Sequence, residues 1–169
     1  ITTGIREATL TGKPYPIKGW RVYATNLLQA LPSQEETIRA IQALDLLVVV
    51  DVVGSEIAGW ADVVLPESTY LERYEELNVE LFREPFVALR QPVVEPTADQ
   101  KPNWWIAREL AVKLGLEAYY PWKTIEEYLD HRLKGAGLSL ATLQTKGLVK
   151  APQPPIYYEE GVPPVFPTP

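Results

Sequence analysis

The stretch that most constrains this chain is residues 46–66, LLVVVDVVGSEIAGWADVVLP. Its first five residues are branched and apolar, a run too short for most helices, and the pattern reads as a strand buried on both faces. The run ends at an acid, Asp51. A second short run, residues 63–65, follows and is closed by Pro66. In an open parallel sheet, ligands bind beyond the carboxyl ends of the strands, so Asp51 stands where such a ligand would be met.

The flanking sequence supplies the rest of a parallel sheet. Residues 1–12 read as the end of a helix with Ile5 and Leu10 as its apolar points and Gly12 as its left-handed stop. GKPYPIK is a turn, because two prolines two residues apart cannot sit inside a helix. Residues 19–25, GWRVYAT, form a strand rich in aromatic and β-branched types, and Asn26 follows at its carboxyl end. Ser33 and Glu36 have capping-box spacing, and Ile38, Ile41 and Leu44 repeat on one helical face. Strand, helix (33–44) and strand (46–50) make a βαβ unit with a right-handed crossover. Beyond Asp51, residues 54–60 have room for one or two helical turns, and residues 62–66 form a third strand.

Further on, residues 67–83 are dense in Glu, with Arg73 isolated among the acids. Residues 86–90 read as a short extended piece and VVEPTADQKP as a loop. A helix over 103–114 carries Ile106, Leu110 and Leu114 on one stripe, with Gly115 after it. Thr124 and Glu127 repeat the capping-box signal before Ile125, Leu129 and Leu133; Gly135 ends that helix, and residues 139–145 add a turn or two. The fold class expected is α/β: three-layer, Rossmann-like, a mostly parallel sheet with helices on both faces. Residues 1–149 are assigned to this domain and residues 150–169, rich in Pro, to an irregular linker toward a following domain.

Several function classes drop out. The chain has 16 Lys plus Arg against 22 Asp plus Glu, a formal charge of −6, which argues against a nucleic-acid partner or an anionic membrane surface. It has no Cys and one His, His131, so thiolate metal sites, cysteine nucleophiles and multi-histidine sites are excluded within it. No apolar run approaches the ~20 residues that span a bilayer. There is no G-x-S-x-G, no Walker loop and no G-x-G-x-x-G. Adjacent acids such as Glu75/Glu76 and Glu126/Glu127 point apart on a helix and read as solvated charge. The first residue is Ile, which suggests a processed or excised piece.

What remains is a set of polar residues at strand ends: Asn26, Asp51 and Ser55. A carboxylate accepts two hydrogen bonds side by side, and guanine offers a matching pair in its ring N–H and exocyclic amine. The competing structural reading is that Asp51 caps the turn after it, that Asn26 makes its own turn, and that Ser55 caps a helix. The five Trp residues read as packing, with at least one of Trp104 and Trp105 in the core, and His131 as an exposed or half-buried helical residue.

The run VVVDVVGSEIAGWADVVLPESTYLER resembles the third domain of the molybdopterin oxidoreductase (dimethyl sulfoxide reductase) family. There, a strand ends in Asp, a Ser- or Thr-containing turn follows, then A-D-V-V-L-P, then an acid followed by Lys or Arg. Here these are Asp51, Ser55, residues 61–66, and Glu72 with Arg73. VYATN resembles the family's V-x-G-x-N, KPNWWIARELAVKLG its K-x-D-W-x-I…L-A-x-x-L-G, and VFPTP the seam before the final domain. TGKPYPIK and LRQPVVEP look most like the polysulfide and thiosulfate reductase branch.

The resemblance implies a catalytic subunit that carries molybdenum or tungsten in a bis-molybdopterin guanine dinucleotide cofactor. This domain would bind the guanosine and phosphate end of one dinucleotide, through Asn26, Val50, Asp51, Ser55, Arg73 and Asn103. Asp51 would hold the guanine edge. Two departures stand out: Ala24 replaces the usual Gly, and Asn103 stands where Asp is common. No catalytic residue or metal ligand is expected in this stretch; the 4Fe–4S cysteines and the metal ligand would lie upstream. The expected partners are the other domains of the same subunit, an iron–sulfur electron-transfer subunit and a membrane anchor, in a periplasmic complex reducing polysulfide or thiosulfate. The alternatives are a module for free guanine nucleotides, disfavoured by the missing Gly-rich phosphate loop, and a non-catalytic interaction domain.

Overall fold

The aliphatic run becomes the middle strand of a three-stranded parallel sheet. In the computed structural model, which describes residues 2–80 and 85–150, β1 (Gly19–Tyr23), β2 (Leu46–Asp51) and β3 (Val63–Pro66) lie in that order. Val22 pairs with Val49 and Val50 with Leu65. Among the described residues six helices accompany the strands: α1 (Thr2–Thr11), α2 (Leu27–Ala30), α3 (Gln34–Gln42), α4 (Asn103–Lys113), α5 (Ile125–Lys134) and α6 (Leu140–Lys146). Short 3-10 turns occupy Glu56–Trp60 and Glu117–Tyr119. The linker assigned to residues 150–169, with its closing VFPTP, lies outside the described residues apart from Lys150.

Where the sequence reading groups residues 1–149 as one domain, the chain's contacts divide it into two compact units. The first comprises residues 1–73 and 93–120, the second residues 74–92 and 121–169. Each has its own core. In the first, Val22, Leu47 and Val49 pack with Leu28 of α2, Ile41 of α3 and Ile57. Burying each of these side chains contributes roughly 1.5–3 kcal/mol. In the second, a small antiparallel sheet, β4 (Asn78–Glu80), β5 (Phe86–Ala88) and β6 (Leu148–Lys150), supplies Val87 to a cluster with Leu129, Leu133, Leu140 and Leu143. Of that sheet the sequence shows only β5, within the extended piece expected at residues 86–90; strands of three residues are too short to show a period of two.

Three local expectations are corrected. α1 does end at Gly12, whose φ of 71° and N–H bond to the Ala8 carbonyl fit the stop, but Ile5 and Leu10 face solvent while Arg6 and Ala8 are buried. The Ser33/Glu36 capping box does not form: Ser33 is left-handed at φ 59° with no side-chain cap bond. Arg6 takes its place, donating to the Pro32 and Ser33 carbonyls and to Thr37 Oγ1, and pairing with Glu36 at 2.7 Å. On α4, Ile106 is buried as expected, but Leu110 and Leu114 are exposed and Ala111 is the second buried position. The second capping box holds, with Thr124 accepting from the Glu127 N–H at 3.2 Å.

Candidate functional site

Three strand tips meet at the carboxyl edge of the parallel sheet, and two hydrogen-bonded groups sit there. The first surrounds Asp51. Its Oδ1 accepts from the Val52 N–H at 2.7 Å and, at the limit, from Val53 at 3.5 Å; its Oδ2 accepts the Ser55 hydroxyl at 3.2 Å. The capping interpretation of Asp51 is thus realised in the protein's own turn. A carboxylate offers about four lone-pair positions, so acceptor capacity remains on Oδ2. Ser55 begins the Glu56–Trp60 turn without capping it, its hydroxyl being turned to Asp51.

Asn26 occupies the next tip. It is the N-cap of α2, accepting from the Leu28 N–H at 3.3 Å. Its amide reaches Glu56 Oε2 at 3.4 Å, where Gln29 also donates at 3.1 Å. Ala24, two residues earlier, has φ 50° and gives its N–H to the Val50 carbonyl at 3.0 Å. The position is left-handed, which is the physical reason a glycine suits it. Val50 has no exposed surface, so it contributes backbone and packing only.

The second group centres on Glu67, which the sequence shows only as the first residue of the Glu-dense segment 67–83. Glu67 is buried. Its Oε1 accepts the Tyr23 hydroxyl at 3.0 Å, the Asn103 N–H at 3.0 Å, and the Arg73 guanidinium. Arg73 also donates to the Ser68 carbonyl at 2.6 Å. The carboxylate therefore sits at the N-terminus of α4, where the helix dipole favours negative charge. Arg21 donates to Asn103 Oδ1, and its guanidinium lies 5.8 Å from the Tyr23 ring centroid. The only available signal for Glu67 was its place directly after Pro66, at a strand end of the same kind as Asp51.

The backbone joins the two groups: Glu67 N–H bonds the Asp51 carbonyl at 3.0 Å, and Lys101 bridges the tip of β3 through Pro66 and Ser68. Of the six expected residues, Asn26, Asp51 and Ser55 fall in the first group, Arg73 and Asn103 in the second, and Val50 lies beneath. Nearby, the Thr69 N–H and hydroxyl bond Glu72 at 2.8 and 2.9 Å, and the Thr69 N–H chiefly holds that carboxyl below the usual glutamate range. Ser68 Oγ is buried with no hydrogen-bond partner among the described residues. Among those residues no cluster of three or more His, Cys, Asp or Glu could hold a metal ion.

Comparison with known proteins decides the family. The model of the molybdopterin oxidoreductase family matches residues 4–113. The chain belongs to the molybdopterin oxidoreductase family. The thiosulfate reductase molybdopterin-containing subunit PhsA of Salmonella typhimurium is 39% identical over 163 residues, which is 96% of this chain and 20% of that protein. Acetylene hydratase of Syntrophotalea acetylenica is 34% identical over 161 residues, 95% of this chain and 22% of that protein. The solved structure of acetylene hydratase from Pelobacter acetylenicus superimposes with a TM-score of 0.79 at 32% identity, over 88% of this chain and 20% of that one. The chain thus spans about a fifth of the length of these family members, which are enzymes.

Proposed function

We propose that this chain forms the nucleotide seat of a molybdopterin oxidoreductase catalytic subunit. Asn26, Asp51, Ser55 and Asn103 take the guanosine and phosphate end of one guanine dinucleotide of a bis-molybdopterin cofactor, with Val50 and Arg73 supporting them. The observation that carries this reading is the position of Asp51: it ends the middle strand, its carboxylate lies in the turn above the sheet, and Asn26 stands on the neighbouring tip. The group fits the residues present. Asp51 keeps one acceptor position on Oδ2 and gains a second for the guanine N–H pair if the guanine replaces the 3.5 Å contact from Val53, Ser55 and Asn26 add hydrogen-bonding groups, and the Asn103 amide nitrogen has no partner among the described residues. Arg73 serves through its pairing with Glu67, as part of the scaffold of the tips instead of as a bare cation.

When bound, the cofactor supplies two-electron chemistry at molybdenum or tungsten. The substrate we infer for the intact subunit is thiosulfate or polysulfide, supported by the identity of 39% to a thiosulfate reductase subunit. The same reading carries an upstream 4Fe–4S cluster, an iron–sulfur electron-transfer subunit, a membrane anchor and a periplasmic complex.

Asp51→Ala in the full-length subunit tests the seat. Metal and guanine content should fall while far-UV circular dichroism stays unchanged, because the residue stands at a strand end and outside the core. Full occupancy in the variant refutes the assignment. Substrate class is tested on the intact enzyme with thiosulfate, polysulfide and, as the competing chemistry of a relative, acetylene; turnover of acetylene alone would reject the sulfur substrates.

A further inference from the structure

We propose that Arg21 is a positioning residue that makes Asn103 a hydrogen-bond donor toward the nucleotide, so that the ligand atom met there is an acceptor. This rests on the nucleotide seat argued above and deepens it. A carboxamide has a donor end and an acceptor end of nearly equal shape, and its orientation is set by its neighbours. A guanidinium only donates. Because Arg21 donates to Asn103 Oδ1, the carboxamide is turned with its oxygen toward the guanidinium, one of that oxygen's two lone pairs is taken, and both N–H groups of Nδ2 are left for a ligand.

The arrangement is built from several sides. The Asn103 backbone N–H is fixed on Glu67 at 3.0 Å. Glu67 in turn holds the Tyr23 hydroxyl at 3.0 Å, and the Tyr23 ring lies under the Arg21 guanidinium at 5.8 Å. Arg21 and Tyr23 alternate along β1 and share one face of the strand. The main chain of Asn103 is thus held by Glu67, just after β3, and its side chain by Arg21 on β1. Asn103 is half-buried, whereas Arg21 is exposed, so changing Arg21 leaves the core untouched. An Asp at position 103 would bind the same guanidinium and offer only acceptors, reversing the hydrogen-bond type that the seat reads. The Watson–Crick donors of guanine are then matched to Asp51, and an acceptor of the same nucleotide to Asn103.

The test uses cofactor-free full-length subunit titrated with GMP by calorimetry. Asn103→Ala and Arg21→Met should each raise the Kd about tenfold, the worth of one hydrogen bond. Arg21→Lys, which keeps a donor-only cation, should restore most of the affinity. The Arg21→Met/Asn103→Ala double variant should bind no more weakly than Asn103→Ala alone, since Arg21 acts only through Asn103. Two results overturn the proposal while leaving the seat intact: Arg21→Met without effect although Asp51→Ala weakens GMP, or Arg21→Met weakening GMP further in the Asn103→Ala background. If Asp51→Ala, Asn103→Ala and Arg21→Met all leave GMP binding unchanged, the seat falls and this inference with it.

Discussion

Glu67 and Arg73 form an ion pair behind the strand tips, the carboxylate with 1% of its side-chain surface exposed and the guanidinium with 13%. Breaking such a pair from one side leaves a buried charge without its counterpart. Glu67→Ala should therefore cost about 3–5 kcal/mol and also strip an acceptor from the Asn103 N–H and the Tyr23 hydroxyl. Glu67→Gln keeps an acceptor and should cost less. Urea denaturation of the two variants checks the order; equal midpoints to the parent would show that the pair carries no stability.

Ala24 offers a gain. Its φ of 50° is a conformation that costs an L-residue roughly 1–2 kcal/mol. Glycine removes that cost but adds freedom to the unfolded chain. Ala24→Gly should stabilise the protein by about 0.5–1 kcal/mol, read as a higher denaturation midpoint. A lower midpoint would mean that the methyl group packs usefully.

Asp130 makes the second unit sensitive to acid. The Leu140 N–H, 3.1 Å away, is the main cause that holds its carboxyl below the ordinary aspartate range, with Lys134 helping. A carboxyl depressed on folding lends stability above its unfolded pKa and loses it as pH falls through the folded one. Stability should decline from about pH 5 downward, and Asp130→Asn should flatten that decline. Glu72, depressed by Thr69, supplies a parallel slope in the first unit, so the comparison must be the parent minus the variant.

Leu129 and Leu143 have no exposed surface and anchor the second core. Leu129→Ala should cost about 2–5 kcal/mol. Thermal unfolding followed by tryptophan fluorescence, to which Trp122 contributes from an edge-on contact 5.1 Å from Tyr128 and a tilted one 5.1 Å from His131, would report the loss.

Much of the first unit was legible because its signals are local. The aliphatic run, the acid at its end, the third strand closed by Pro66 and the Thr124 cap all depend on near neighbours in sequence. What escaped depends on distant ones. Glu67 looks like surface charge until Tyr23 and Asn103, 44 and 36 residues away, close over it. The Ser33 capping box yields to Arg6, 27 residues upstream. Asp51 was legible as a strand-end acid, and both uses foreseen for it, the cap and the ligand contact, call on the same two oxygens.

The order in which the two units claim the chain sets a timetable for biogenesis. The polypeptide passes from the first unit to the second at residue 74, returns at 93, and leaves again at 121. During synthesis the three parallel strands emerge early, yet α4, whose first residue meets Glu67, arrives only after the β4–β5 segment has been made. That buried acid therefore stays without its helix until those intervening residues have been made.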